Sequence, residues 1–493
     1  MLRPYKCVAL CCVKVNVEIL LDPAVAVDRA YVKRLQQGVQ RARRNGRAVL
    51  VSVSEPVAAL DVVELFDRGR LLAPDRYLWT QPGADFGLVG VGLAHAIDAV
   101  EAARFRQVAA GWRHVLSGAI VEGPHGLPGV GPVLLGGFAF DVQRPTTPLW
   151  QGYPHGHMVL PRMLFTRLGG ERWLTTNTVV GPQTDVDAEA AALASAVRAW
   201  VGDHDDDGHP SPNGRGAYIT SHEVRPAAEW QAEVAQAVNA IKHGALEKVV
   251  LARAVQLQSS KPFSPSNALR HLISHYVGCT IFAVARGERC FLGATPEQLV
   301  RLRAGEVRAM SLAGSIQRGK TPPEDERLGQ ALLNSAKDRG EHAVVVKALV
   351  EALSETCPRL HYNEAPTLLK LGNIQHLCTP ITGQLANGHT LLDLVERLHP
   401  TPAVGGRPRE AALRLIRERE GLDRGWYAGP VGWLNAEGEG EFAVALRSAL
   451  LQGNTATLFA GCGIVADSDP AREYAESRLK LKPMLTALGA YSG

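Results

Sequence analysis

The stretch GCGIVADSDPAREYAESRLK, residues 461–480, reads as a strand of small and apolar residues, a polar turn, and a helix that opens with carboxylates. Glu473 and Glu476 stand three apart, so on a helix both carboxylates share one face. Lys480, four residues after Glu476, joins that face and can neutralise an anion held there. The same spacing recurs upstream in KDRGEH, residues 337–342, with Asp338 and Glu341. Taken singly, either pair reads as a solvated helix face; two such faces opposed across a cleft make an oxygen-rich site for a hard divalent cation.

Outward from these helices the pattern is one of short strands in hairpin order with helices set between them. Upstream come an amphipathic helix, EWQAEVAQAVNAIKHG, with Trp230, Val234, Val238 and Ile241 at helical spacing, and strands at KVVLARAVQL, CTIFAVARG, RCFLGAT and EQLVRLRAGEVRAM. PEDERLGQALLNSAKDRGEHAVVVKALVEAL reads as one long helix carrying the first carboxylate pair. KLGNIQHLCTPITGQL, EFAVALRSALLQ and TATLFAGCGIVA read as further strands, and helices are expected from near Leu391 and over RPREAALRLIRERE. In the N-terminal half RAVLVSVSE, DRYLWTQP, FGLVGVGLAHAI and VLLGGFAFD are strands, with helical patterns over residues 28–42 and 187–201. The paired Gly136 and Gly137 mark a bulge or a close backbone approach. Strands in this order predict an α+β fold with antiparallel sheets rather than a doubly wound parallel one.

GDHDDDGHPSPNGRG, residues 202–216, is loop chemistry and divides residues 1–201 from 217–493. Its aspartates lack the spacing of a calcium loop. The opening MLRPYKCVALCCVKV has a basic start, but its apolar run from Val8 to Val13 is short and interrupted by Lys14, which argues for a strand rather than a signal peptide. No window approaches the roughly 18 uncharged apolar residues of a membrane span. With 53 basic and 49 acidic side chains there is no charge excess pointing to nucleic acid or a membrane surface. Eight scattered cysteines without a CxxC pair fit a reducing cytoplasm. No glycine-rich phosphate motif is present, so a nucleotide cofactor has no support.

The order KVVLAR, ATPEQLV, SLAGSIQRG, KDRGEH, GNIQHLCT, HPTPAVGG, FAVALRSA and GCGIVADSDPAREYAESRLK resembles the chorismate-utilising enzymes over residues 226–485. The resemblance implies an α+β core of two large antiparallel sheets packed together, helices outside, and a cleft for chorismate. It implies that Glu341 and Glu476 hold Mg²⁺, with Asp338 and Glu473 behind them through water. Arg447 and Lys480 would take the enolpyruvyl carboxylate, a task suited to a fork and a point charge. Gly461 and Gly463 would let backbone approach the anion, and Gly314 and Ser315 would donate hydrogen bonds. His376 would lie near the ring hydroxyls or serve as a hydrogen-bonded core histidine.

Single positions separate the members of that family. Lys248 matches a lysine kept by water-adding members where anthranilate synthases have glutamine; a buried lysine can act as general base on water. Glu297 matches the acid that protonates the departing C4 hydroxyl. Ala313 stands where aminodeoxychorismate synthases carry a nucleophilic lysine. Ala403 and Val404 resemble isochorismate synthases where salicylate and anthranilate synthases tend to have threonine, although Tyr427 also occurs in salicylate synthases. GGFAFD, Trp150, Gly152 and MVLPRMLF resemble the longer, menaquinone-type isochorismate synthases. The expected activity is Mg²⁺-dependent isomerisation of chorismate to isochorismate by a cytoplasmic monomer or weak homodimer, with no glutaminase subunit. A salicylate synthase and a non-catalytic chorismate-binding homologue are the alternatives.

Overall fold

The computed structural model describes residues 29–145, 147–202 and 218–490. The strand expected over residues 8–13, and the loop at 202–216 apart from Gly202, lie outside those residues.

Two sheets of thirteen and ten strands carry the fold, and both draw strands from each half of the chain. In the larger sheet Asp75–Gln81 pairs with Thr280–Arg286; in the smaller, Val133–Phe138 pairs with Pro430–Asn435. The halves thus share their sheets rather than forming separate units. Every described strand pair is antiparallel except Val49–Pro56 with Ile120–Glu122. The α+β expectation is met.

Sequence neighbours serve opposite cores, because successive residues of a strand point to opposite faces. Leu88, Phe282 and Phe291 of the large sheet meet Leu135, Val300 and Phe442 of the small sheet in the core between them. Val89, Ile281 and Leu292, one position along, pack outward under Leu193 and Val197 of the helix Val186–Val201 and Leu269 of the helix Pro265–His275. A sheet covered on both faces needs continuous apolar runs, which is why these strands lack a clean polar alternation.

Several segments depart from the expected elements. The long helix is two, Pro322–Asn334 and Ala336–Ser354, because Ser335 is extended and its hydroxyl caps the second by accepting from the Asp338 N–H. FGLVGVGLAHAI splits into Phe86–Val91 and His95–Ala99, which belong to different sheets, with Gly92 turning the chain at φ 71°. EQLVRLRAGEVRAM is a hairpin whose turn, Ala304 and Gly305, has positive φ at both residues. EFAVALRSALLQ also splits, into Gly440–Val444 of the small sheet and Ser448–Gln452 of the large one. On the helix Ala227–Lys242 the buried position is Ala237, with Val238 half-buried beside it. At Gly136 a Cβ would stand 2.0 Å from the His157 carbonyl oxygen, so the glycine pair does mark close backbone approach.

Candidate active site

A cleft opens where strands cross from one sheet to the other. Arg289–Thr295 of the large sheet continues as Gln298–Arg303 of the small sheet, and Glu297 sits in the crossing, 5 % exposed. The chain crosses back between Val444 and Ser448, where Arg447 takes φ 49°, a left-handed backbone that a regular strand residue does not adopt. The two crossings are fastened together: Val444 N–H donates to the Glu297 carbonyl at 3.0 Å, Ala294 N–H to the Arg447 carbonyl at 3.1 Å, and the Thr295 hydroxyl to the Val444 carbonyl at 2.6 Å.

Around them the cavity is walled by Gly314 and Ser315, His376, Glu341, Glu476 and Lys480, the Ala403–Val404 turn, Tyr427, Gly461 and Gly463. Lys248 begins the strand Lys248–Ser259 and is fully buried beside the cavity, its Nζ 2.8 Å from Glu341 Oε1. Gly463 lies opposite Val250 in the ladder, and a Cβ on it would come within 2.3 Å of Glu341 Oε1 and 2.8 Å of Lys248 Cε. Only glycine leaves room for that ion pair. Gly314, at φ 75°, makes the bulge between Ala313 and Ser315. Asp338 and Glu473 stand behind the wall: Asp338 accepts from the Ser335 hydroxyl, and Glu473 accepts from Lys337 Nζ and the Ser468 hydroxyl, each at 2.8 Å.

Burial sets the protonation states. It pushes the Glu297 carboxyl up to about 7, against the pull of Lys248, Arg447 and Lys480, so the group carries a proton near neutrality. Burial would raise Glu341 too, but Lys248, Lys480 and Lys337 together hold it below the usual carboxylate range. Burial and the Arg447 and Lys480 charges keep His376 neutral, far below its ordinary pKa. A guanidinium only donates, so the Arg447 Nη2 contact at 3.4 Å makes His376 Nε2 an acceptor and leaves Nδ1–H facing Ser315 Oγ at 2.8 Å. His376 therefore orients Arg447 and Ser315 rather than exchanging protons. Tyr427, pushed up to about 12 mainly by burial, is a neutral phenol stacked on Phe459.

The carboxylates suit a hard cation. Burial raises Asp338, with Glu341 and Glu476 adding to it, and burial and Glu476 raise Glu473, so nearby positive charge would favour the ionised form of both. Cys462 brings its sulfur within 4.8 Å of ligand atoms of Glu473 and Glu476, but it is buried, donates to the Glu473 carbonyl, and has a pKa raised by burial, so the donors on offer are oxygens.

The family described as chorismate binding enzyme matches residues 37–489. The chain belongs to that family. Among chorismate-binding enzymes, a Pseudomonas aeruginosa protein named salicylate biosynthesis isochorismate synthase is 40 % identical over 459 residues, 93 % of this chain and 94 % of its own length. The isochorismate synthase MenF of Bacillus subtilis is 36 % identical over 470 residues, 94 % and 98 % of the two chains. The solved structure of the menaquinone-specific isochorismate synthase MenF of Escherichia coli superposes with TM-score 0.75 at 26 % identity, covering 92 % of this chain and all of that one.

The family cleft also contains a residue that the sequence analysis did not single out. Arg424 lines the cavity, three residues before Tyr427. Its sequence signal is Glu420, four residues back and ready to pair with it, a spacing common enough on exposed helices to pass unnoticed.

Proposed function

We propose that this protein is an isochorismate synthase, converting chorismate to isochorismate by adding water at C2 as the hydroxyl leaves C4. The observation that carries the reading is a cavity lined by Glu297, whose pKa burial raises to about 7, and by Arg447, a cation without a carboxylate partner among the described residues, with the buried Lys248 beside it. In its amine form Lys248 takes a proton from water, and the hydroxide adds to C2. Glu297 gives its proton to the C4 hydroxyl, which departs as water; the reverse reaction exchanges their roles. Arg447, whose charge is penalised by burial, gains most from an incoming carboxylate and is assigned to the enolpyruvyl side with Lys480. Magnesium, held by Glu341 and Glu476 with Asp338 and Glu473 behind them, would supply the positive charge that anchors the ring carboxylate. The apolar Ala403 and Val404 offer no group to promote loss of pyruvate.

The P. aeruginosa and B. subtilis relatives are both named for the same reaction, and a menaquinone pathway is supported by the B. subtilis and E. coli MenF names. A cytoplasmic location fits the five cysteines of the described residues, all of which are free. Lys248, which calls for water rather than ammonia, supports action without a glutaminase subunit.

The test is turnover of chorismate by purified protein with Mg²⁺ and with EDTA, assaying isochorismate and pyruvate together. Isochorismate without pyruvate, lost in EDTA and restored by Mg²⁺, is expected. Salicylate with pyruvate would replace the reading by salicylate synthase; no turnover would make the chain a binding homologue.

A further inference from the structure

Two arginines line the cavity, and their surroundings assign them different work. The Arg447 guanidinium has one hydrogen bond among the described residues, the long contact with His376. Arg424 makes four hydrogen bonds. Its Nε and Nη2 form a fork on Glu420, at 2.7 and 2.6 Å, while Nη1 donates to the Val404 carbonyl and Nη2 to the Val250 carbonyl, each at 2.8 Å. The guanidinium also lies 4.3 Å from the Phe140 ring centroid. Glu420 in turn accepts the Ala252 N–H at 2.7 Å.

We propose that Arg424 is a positioning residue for this reaction, fixing the strand that carries Lys248 against the Ala403–Val404 turn. Its charge is cancelled by Glu420, so it offers an incoming carboxylate little, and both pocket-wall carbonyls it holds are backbone groups. Two segments far apart in sequence, one bearing the general base and one the apolar wall, are bridged by this side chain as well as by their backbones. The backbone already pairs the strand with the residues that follow the turn, Glu247 N–H to the Arg407 carbonyl and Val250 N–H to the Gly405 carbonyl, each at 2.8 Å; Arg424 adds a side-chain fastening at the Val404 and Val250 carbonyls. Only a planar fork reaches Glu420 and two carbonyls at once, and a lysine cannot.

This inference rests on the isochorismate synthase reading. The experiment is steady-state kinetics of Arg424→Lys with chorismate, with pyruvate assayed alongside and folded protein quantified by thermal melting; wild type in the same assay tests the underlying reading separately. The expected result is kcat lowered about tenfold to a hundredfold with KM changed less than about threefold, since misplacing a reacting group by about 1 Å costs up to about 10² in rate. A matching loss in Glu420→Gln, which keeps the shape but removes the charged partner, is also expected, and this second variant carries the test if Arg424→Lys does not fold. A raised KM with kcat intact would overturn the proposal by making Arg424 a receptor for the substrate carboxylate. Wild-type kcat per folded molecule in both variants would overturn it as well.

Discussion

Replacing Glu297 with glutamine should disable the enzyme and raise its stability relative to wild type as pH goes from acid to alkaline. Buried in the crossing, the carboxyl has its pKa raised from 4.5 to about 7, chiefly by desolvation. Between those values the folded protein holds a proton that the unfolded chain has released, so stability contributed at low pH is lost as pH rises through about 7. At about 1.4 kcal/mol per pKa unit, the loss approaches about 3 kcal/mol on the alkaline side. Glutamine does not titrate. Its buried amide shifts stability by an amount that does not vary with pH, and the informative quantity is therefore the change in the difference between the two proteins. Urea unfolding of both at about pH 5 and about pH 8 should show the variant gaining about 2–3 kcal/mol relative to wild type across that interval. Turnover should fall by about 10² or more, and wild-type kcat/KM should decline above about pH 7 as the acid loses its proton. A stability difference that stays flat from acid to alkali would mean that Glu297 is ionised in the fold and cannot be the proton donor.

Lys248→Ala should lower kcat by about 10² or more while far-UV circular dichroism stays native. It should also cost about 3 kcal/mol in urea, because Glu341 loses the partner 2.8 Å away. Gly463→Ala places a methyl against Glu341 Oε1 and Lys248 Cε, forcing the two ends of that pair apart. Its kcat should fall about tenfold or more with little change in melting temperature, because the displaced atoms are the far ends of side chains; unchanged kinetics would show that the Lys248–Glu341 geometry is immaterial to catalysis.

The parts of the site that are local in sequence are legible there. The i, i+3 carboxylates do lie on the first two turns of the helices Ala336–Ser354 and Pro470–Ala487, and the glycines around Cys462 do lie in a strand whose neighbours come close. What stays hidden is where a strand changes sheets. EFAVALRSALLQ is apolar on both sides of Arg447 and Ser448 and contains no Gly or Pro, so no turn signal marks Ala445–Arg447 as a passage between the sheets. The clamp at Arg424 is hidden for another reason: Val250 is 174 residues away, and no periodicity connects them. The lysine partners are equally non-local. Lys337 was adjacent to the first carboxylate pair in sequence, yet it binds Glu473 of the second.

Glu297 and Arg447, the proposed acid and anion receptor, both sit in sheet crossings. A residue inside a strand has its side chain committed to one face of a sheet, and its backbone groups committed to neighbours on either side. A residue in a crossing has neither commitment, so Glu297 and Arg447 can present their side chains to the gap between the sheets. The backbone groups freed by the crossings are not left unpaired; Glu297 and Arg447 each offer a carbonyl to the other's strand, through Val444 and Ala294. Glu297 and Arg447, the proposed proton donor and carboxylate receptor, are therefore held in register by the same few hydrogen bonds. Lys248, by contrast, belongs to the large sheet alone, and its distance from Glu297 depends on how that sheet meets the turn at Val404. That junction is where Arg424 is found, and the three groups that must act on one ring are thereby tied to two rigid fastenings rather than to a flexible loop.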